Sequence, residues 1–233
     1  MKPPGPNPPA PACDGLVCFA LKEEAGAFQQ RMANQAALSI LITGIGRKNS
    51  ERTLVERLQQ LTPRLVLTCG FAGGLDPALV PGDVIYSTDD EELRRRLATA
   101  GAKPGRFFCA TRIATTVVEK SELRRTTAAD AVEMESEAIQ AVCRVRGIPC
   151  ATVRVISDAA EADLPLDFNQ LSKPDLSLDY GKLVWAIAKS PGKIPALLRL
   201  QKYSSFAAQR LADVLTTVTG INHGPGLDAQ AGP

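Results

Sequence analysis

Short apolar runs alternate with amphipathic segments along most of the chain. The runs typical of buried strands lie at residues 15–21, 38–44, 64–70, 82–87, 106–114 and 150–157. Helical spacing of apolar residues lies between them, at 22–32, 50–61 and 135–147, the last closed by Gly147. Strands that alternate with helices indicate βαβ units. The pattern predicts a single-domain, three-layer α/β/α fold around a central mixed, mainly parallel sheet.

The two ends of the chain depart from this pattern. Residues 1–14 contain six prolines and 220–233 are rich in glycine, so we expect both to be disordered. We assign 15–172 to one α/β core and 173–219 to a basic helical C-terminal extension. The first residues lack the apolar stretch of a signal peptide, and no apolar run approaches the roughly 18 residues of a membrane span. We therefore expect a cytoplasmic protein.

The amino-acid composition limits the kinds of catalytic and metal site that this chain can form. Hydrophobic residues make up 45% and charged residues 22%, as in ordinary globular proteins. The six cysteines show no CxxC spacing, which favours reduced, buried thiols over a zinc site. The single histidine, His223, lies in the tail, which argues against a Ser-His-Asp triad and against a multi-histidine metal site. Acid–base chemistry would then fall mainly to carboxylates, and we expect no metal.

Charge is unevenly distributed although the net charge is only +2. Residues 180–212 contain six bases and no acid, interspersed with apolar side chains and Trp185. Such a segment can lie on an anionic membrane surface, as a peripheral contact, or pack on the sheet with its lysines in solvent. The sequence leaves both readings open. Nucleic acid is a weaker partner, because few aromatic residues are available to stack on bases.

One strand ends on an acid. Val153–Ile156 is followed by Ser157 and Asp158, and open α/β sheets bind ligands at the carboxyl ends of their strands. Asp158 could instead cap a following helix. A glycine-rich stretch, Gly70–Gly74, follows another strand; it lacks GxGxxG, and we expect a tight turn there that brings backbone N–H groups close to a ligand.

Four segments together resemble one family, the methylthioadenosine/S-adenosylhomocysteine nucleosidases and related purine nucleoside phosphorylases. They are ALKEEAGAF (20–28), GIGRKNSERTL (44–54), TCGFAGGLDPALVPGDVI (68–85) and AVEMESEAIQAVCRVRGIPCATVRVISDAAEAD (131–163). The resemblance implies a phosphorylase/hydrolase-like fold, a homo-oligomer, a small-molecule or lipid-linked adenine nucleoside as substrate, and no cofactor. Inorganic phosphate would be the co-substrate of a phosphorylase. The stretch 190–215 is similar to a narrower subgroup from bacterial hopanoid biosynthesis, which implies removal of adenine from adenosylhopane at the inner membrane surface.

The resemblance implies a role for each matching residue. Asp158 would protonate the purine at N7, for which it must carry a proton near neutral pH, and Ser157 would support it by a hydrogen bond. Glu135 would accept hydrogen bonds from the ribose hydroxyls, and Met134 would pack on the sugar or base. The alternative for Glu135 is an acidic helix start stabilised by the helix dipole.

Hydrolases and phosphorylases of this family differ in the nucleophile, which is water in the first and phosphate in the second. Glu24 matches the glutamate that activates water, with Glu23 as the alternative if the register is shifted by one. A carboxylate suits water, whose proton it can accept, and repels phosphate. Arg47 is the candidate phosphate ligand, or an ordinary solvated arginine, and Gly70 and Gly73 would supply backbone donors. We therefore expect hydrolysis rather than phosphorolysis.

Three departures from the family bear on specificity. Phe71 stands where the nucleosidases carry serine, and the segment between Tyr86 and Arg106 is short, which would leave the 5′ side of the site open. Residues 111–117 should contact the purine. A closed, short pocket would instead indicate a methylthioadenosine/S-adenosylhomocysteine nucleosidase. A third hypothesis is a nucleoside-binding or membrane-scaffolding protein without activity.

Overall fold

Strands and helices alternate along the chain in a computed structural model that describes residues 12–32, 38–170 and 191–220. The strands in these ranges are Ala12–Cys13 (β1), Gly15–Phe19 (β2), Leu38–Ile42 (β3), Thr62–Pro63 (β4), Val66–Gly74 (β5), Val84–Thr88 (β6), Lys103–Pro104 (β7), Phe107–Cys109 (β8), Ala131–Glu133 (β9) and Cys150–Asp158 (β10). The helices are Lys22–Arg31 (α1), Arg47–Arg57 (α2), Glu91–Thr99 (α3), Val117–Thr127 (α4), Ser136–Arg146 (α5) and Ile194–Val218 (α6). The six predicted strands and three predicted helices are confirmed, although the strand expected over 106–114 is only Phe107–Cys109.

The central sheet is mixed and mainly parallel, as predicted. Its order is β3-β2-β5-β10-β6-β7, and β9 and β8 extend it beyond the carboxyl end of β5. The β10–β6 and β5–β9 pairs are antiparallel, whereas the other pairs in this sheet are parallel. Helices cover both faces, with α1, α3 and α6 on one side and α2 and α5 on the other. The expected three-layer arrangement is therefore confirmed.

The second half of α6, the last helix in the described ranges, belongs to the core. Ala207, Leu211, Leu215 and Val218 recur at helical spacing and are buried in the largest apolar cluster, against α1 and the sheet. By contrast, its N-terminal half exposes Ile194 and Leu198 together with its basic side chains. The second half of α6 is thus part of the α/β core. No helix in the described ranges is long and apolar enough to cross a membrane.

Two residues that we assigned to a disordered N-terminal arm form a short strand. Ala12 and Cys13 pair in parallel with Thr62 and Pro63, so the assignment of 1–14 to a disordered arm is wrong for these two residues. Residues 1–11, 171–190 and 221–233 lie outside the described residues. The expectations for Trp185, for the bases before Lys193 and for His223 fall in those segments.

The prediction of a turn at Gly70–Gly74 is wrong, because these residues continue strand β5. Gly70 pairs with Arg154 and Gly73 with Asp158, so the ladder between β5 and β10 runs on through the glycines. Hydrogen bonding on both edges of β5, including the pair with β9, holds this stretch extended. The carboxyl ends of β5 and β10 consequently lie side by side.

The short segment after Tyr86 contains an unpredicted helix, α3. The side chain of Asp90 accepts the N–H of Leu93 at 2.8 Å and so caps the helix. Leu93 and Leu97, four residues apart, are buried against the core. Helix α4 and strand β9 were also not predicted.

Candidate active site

A cavity of about 250 Å³ opens where β2, β5 and β10 end. Seven of the residues singled out in the sequence line it, and they come from α1, β5, β10 and the turn between β9 and α5. These are Glu24, Phe71, Gly73, Met134, Glu135, Ser157 and Asp158. Acidic residues that are far apart in the sequence thus line the same cavity. No helix begins in residues 159–170, so the helix-cap reading of Asp158 is wrong.

Glu24 is held in place by backbone donors. Its Oε1 accepts the N–H of Phe71 at 2.8 Å, and its Oε2 accepts the N–H of Leu21 at 2.9 Å. Burial raises the pKa of Glu24 to about 7; the charge of Glu135 adds to this, and that of Arg154 opposes it. A carboxylate that titrates near neutrality is suited to accept a proton from water. Glu23 is exposed, so the alternative register is not needed.

Arg154 lies behind the cavity and links its acids. The side chain is 1% exposed in the middle of β10. Its Nη2 lies 2.7 Å from Glu133 Oε2 and 3.1 Å from Glu135 Oε2. Burial disfavours the charge of the guanidinium, but Glu133, Glu135 and Glu24 outweigh it and raise the pKa of Arg154. Three buried carboxylates therefore share one permanent cation.

Gly70 makes room for this cluster. A Cβ atom there would lie 2.6 Å from both Arg154 Nη1 and Glu24 Oε1, which is shorter than any real contact of that kind. Its φ of +148° is also one that other residues rarely adopt. Gly70 is not in the wall of the cavity. It therefore supports the site by allowing two charged side chains to approach the strand, and the prediction that it contacts substrate directly is not supported.

Glu133 and Glu135 both lie at the start of α5 but have different environments. Glu133 accepts the N–H groups of Glu135 and Ser136 at 2.9 and 2.8 Å and the Ser136 hydroxyl at 2.6 Å. Burial opposes ionisation, but Arg154 and these donors lower the pKa of Glu133. Burial and the neighbouring Glu133 raise the pKa of Glu135 against the pull of Arg154. Both residues line the cavity, but the Glu133 carboxylate is bonded to the start of α5 and to Arg154.

Asp158 has a cationic partner that the sequence did not reveal. Lys120 Nζ, on α4, lies 2.5 Å from Asp158 Oδ2, and the Lys120 side chain is fully buried. The Ser157 hydroxyl donates to Asp158 Oδ1 at 2.6 Å, as expected. The prediction for Asp158 did not include this lysine.

The candidate phosphate ligand lies elsewhere. Arg47 begins α2 and pairs with Glu137 at 2.6 Å, and it is not in the cavity wall. The hydrogen bond from Arg47 to Glu137 raises the pKa of Arg47. Of 111–117, residues 112–114 reach the cavity, where Arg112 is paired with Glu119 at 2.5 Å. Among the residues that the structure describes, no unpaired arginine therefore lines the cavity beside Glu24.

The two missed residues differ in the signal they leave. Arg154 is a charge within an apolar strand, VRVI, and a buried arginine requires acidic partners, so the sequence could have indicated it. Lys120 lies in the polar sequence VVEKSEL and looks like a solvated helix residue. Only its packing beside β10 gives it a role.

Comparison with known proteins agrees with this geometry. The sequence profile of the Phosphorylase superfamily matches residues 20–101 and 90–189. This chain belongs to the Phosphorylase superfamily. The match includes each predicted site residue, from Glu24 on α1 to Asp158 at the end of β10.

Relatives within the superfamily include curated nucleosidases. A 5′-methylthioadenosine/S-adenosylhomocysteine nucleosidase from Glaesserella parasuis is 26% identical over 171 residues, 59% of this chain and 74% of the relative. The enzyme of that name from Anoxybacillus flavithermus is 25% identical over 206 residues, 66% and 89% of the two chains.

Solved structures confirm the fold. Futalosine hydrolase of Helicobacter pylori has a TM-score of 0.67 at 17% identity, covering 89% of this chain and 97% of its own. The 5′-methylthioadenosine/S-adenosylhomocysteine nucleosidase of Helicobacter pylori, solved with butyl-thio-DADMe-Immucillin-A, also has a TM-score of 0.67, at 16% identity over 89% and 98%. The predicted phosphorylase/hydrolase-like architecture is thus correct.

Proposed function

We propose that this protein hydrolyses the N-ribosidic bond of a 5′-substituted adenosine and releases adenine. The observation that carries the proposal is the convergence of Glu24, Glu135 and Asp158 on one cavity. Cleavage of this bond needs an acid for the leaving base and stabilisation of positive charge on the sugar, as in glycoside hydrolysis. Membership of a superfamily that includes named nucleosidases supports the same reaction.

Each acid has a distinct part in this mechanism. Glu24 accepts a proton from the attacking water, for which a pKa of about 7 is suitable. Glu135 binds the ribose hydroxyls, and its negative charge favours the cationic transition state. Asp158 delivers a proton to the purine, so that the base departs without negative charge. Met134 and Phe71 add apolar contact with sugar and base.

Water is favoured over phosphate as the nucleophile. Glu24, Glu133 and Glu135 make the nucleophile side of the cavity acidic, and like charges repel strongly in a buried site. The neighbouring Arg154 is already shared among these acids, and Arg47 is paired outside the cavity. Phosphate would therefore meet more negative than positive charge.

The finer proposal is that the substrate is adenosylhopane. A second cavity of about 510 Å³ shares Ser157, Asp158, Leu164 and Leu200 with the first. Its walls include Ala196 and Tyr203 of α6, so the site continues along an apolar surface. A large apolar substituent needs such an extension, whereas a small thioether does not.

We also propose a peripheral membrane contact through the N-terminal half of α6. Ile194, Leu198 and Phe206 are 42, 61 and 50% exposed there, beside the exposed bases Lys193, Arg199 and Lys202. Apolar and basic side chains on one helix suit an anionic lipid surface. We expect homo-oligomerisation as well, which sedimentation of the purified protein would test.

The decisive experiment measures adenine release from adenosylhopane in liposomes, with and without phosphate, and from methylthioadenosine. Phosphate-independent release from the lipid nucleoside alone is expected. A requirement for phosphate would make the protein a phosphorylase. Activity on methylthioadenosine alone would favour the small-thioether nucleosidase, and inactivity on all adenosine derivatives would favour a binding or scaffolding role.

A further inference from the structure

The buried side chain of Lys120 is hydrogen-bonded on every side, and it has no role in the mechanism proposed above. Its Nζ has three acceptors: Asp158 Oδ2 at 2.5 Å and the carbonyl oxygens of Ala159 and Ala162, each at 2.8 Å. An ammonium group has three hydrogens, so every one of them has an acceptor. The lysine is thus held at one point, directly against the proposed general acid.

These contacts allow two positions for one proton. In the first, the ammonium of Lys120 faces the carboxylate of Asp158. In the second, the proton is on Oδ2 and is donated to the neutral amine, whose two remaining N–H groups still reach Ala159 and Ala162. Both states have three hydrogen bonds, so the transfer leaves no buried polar group without a partner.

Most other charged groups near the pair have partners of their own. In the described ranges these groups, with their partners, are Asp163 with the N–H of Val117, Glu119 with Arg112, Arg124 with Asp76 and Asp130, and Glu133 and Glu135 with Arg154. Arg199 of α6 also lines the cavity that contains Asp158 and Asp163. Asp158 is therefore the acidic partner that the described structure gives to Lys120. The two residues form a unit distinct from the Arg154 cluster across the cavity.

We propose that Lys120 stores the proton that Asp158 gives to the leaving base, an inference that rests on the proposed function. As the N-ribosidic bond breaks, its electron pair goes to the purine. Oδ2 takes a proton from Nζ, and rotation about the Cγ–Oδ2 bond turns that proton toward the purine, which accepts it. Water adds to the sugar and gives its own proton to Glu24. Lys120, left as a neutral amine, and Glu24 return to their starting states by exchange with solvent.

Lys120 acts through Asp158 and is therefore a positioning residue, whose removal should change the pH profile as well as the rate. The test compares wild type with Lys120→Met and Lys120→Gln; glutamine retains donors for the carbonyl oxygens but stores no proton. We expect kcat/KM for adenine release at pH 8 to fall about 100-fold in both variants. The alkaline limb of the profile should move to lower pH. If it stays, or moves to higher pH, Lys120 is only a fixed charge and the proposal is wrong.

A second substrate separates proton supply from folding. The corresponding 4-nitrophenyl riboside has a leaving group that departs as a stable anion, so its cleavage should be nearly unchanged in both variants. Wild type alone provides a further test: the alkaline limb should be present with the adenine nucleoside and absent with the nitrophenyl riboside. The same limb with both substrates would overturn the proposal. If wild type released no adenine, the proposed function would itself be wrong, and this inference with it.

Discussion

The backbone N–H of Phe71 donates to Glu24 Oε1 at 2.8 Å and so joins strand β5 to the first turn of α1. The bond fixes one oxygen of the carboxylate in a buried position, where ionisation is disfavoured. Burial raises the pKa of Glu24 to about 7, although the bond from Phe71 itself acts in the opposite direction, and this pKa leads to two predictions about pH.

For activity, kcat/KM should fall as the pH drops below about 7, because protonated Glu24 cannot accept a proton from water. Glu24→Gln should lower kcat by about 100-fold or more. Steady-state kinetics from pH 5 to 9 would measure both effects. Glu23→Gln, one residue away and exposed, is the matched control and should behave as wild type.

For stability, the folded-state pKa of Glu24 is raised from 4.5 to about 7. Below pH 4.5 both the folded and the unfolded state hold the proton. As the pH rises from 4.5 to about 7 the unfolded state releases the proton while the buried group keeps it, so stability is lost until the folded state also ionises. The loss amounts to about 3 kcal/mol at most. Urea denaturation should therefore show that Glu24→Gln gains stability relative to wild type between these pH values. A constant difference across the range would contradict the assignment.

Asp158→Asn should remove the acid while retaining its shape. Adenine release should fall by about 100- to 10,000-fold, because the base would then have to leave without a proton. Binding of free adenine, measured by calorimetry, should persist. Glu161→Gln, on the exposed turn after β10, is the control. Near-normal turnover in Asp158→Asn would mean that another group protonates the base.

Arg154→Met should destabilise the fold, by about 3–5 kcal/mol at pH 8, because it leaves three buried carboxylates without their cation. The pKa of Glu133 is lowered in the folded protein, so its stabilising contribution is present above its usual pKa and is lost as the pH falls. The difference from wild type should shrink toward pH 4. Denaturation curves at the two pH values would measure it, and a pH-independent difference would be evidence against the charge cluster.

Two glycine-to-alanine changes should have opposite effects. Gly70→Ala puts a Cβ 2.6 Å from Glu24 Oε1 and Arg154 Nη1, and we expect a loss of about 1–3 kcal/mol together with most of the activity. Gly26→Ala, within α1, has no atom within 4 Å of the added Cβ. It should gain up to about 1 kcal/mol of stability through helix propensity. Thermal melts and adenine-release assays of both proteins would test the contrast.

Residues whose task is set by local pattern were predictable from the sequence. The apolar strands and the family-like segments located Glu24, Glu135 and Asp158 at strand and helix ends, and the structure brings them to one cavity. The prediction of a turn at Gly70–Gly74 is wrong because glycine favours turns locally, whereas the ladder with β10 holds this stretch extended. Lys120 was out of reach because its position depends on how α4 packs beside β10, which no local pattern in the sequence encodes.

The burial of the second half of α6 has a consequence for folding during translation. Ala207, Leu211 and Leu215 complete the cluster that contains Val17 and Phe28, so this core joins an early strand and helix to the last described helix. Such long-range contacts slow folding, and a ribosome releases the N-terminal partners first. The apolar faces of β2 and α1 that pack on α6 therefore remain exposed during translation until α6 leaves the ribosome. A nascent chain stalled before residue 207 should be a client for chaperones, whereas the finished protein buries the same surface.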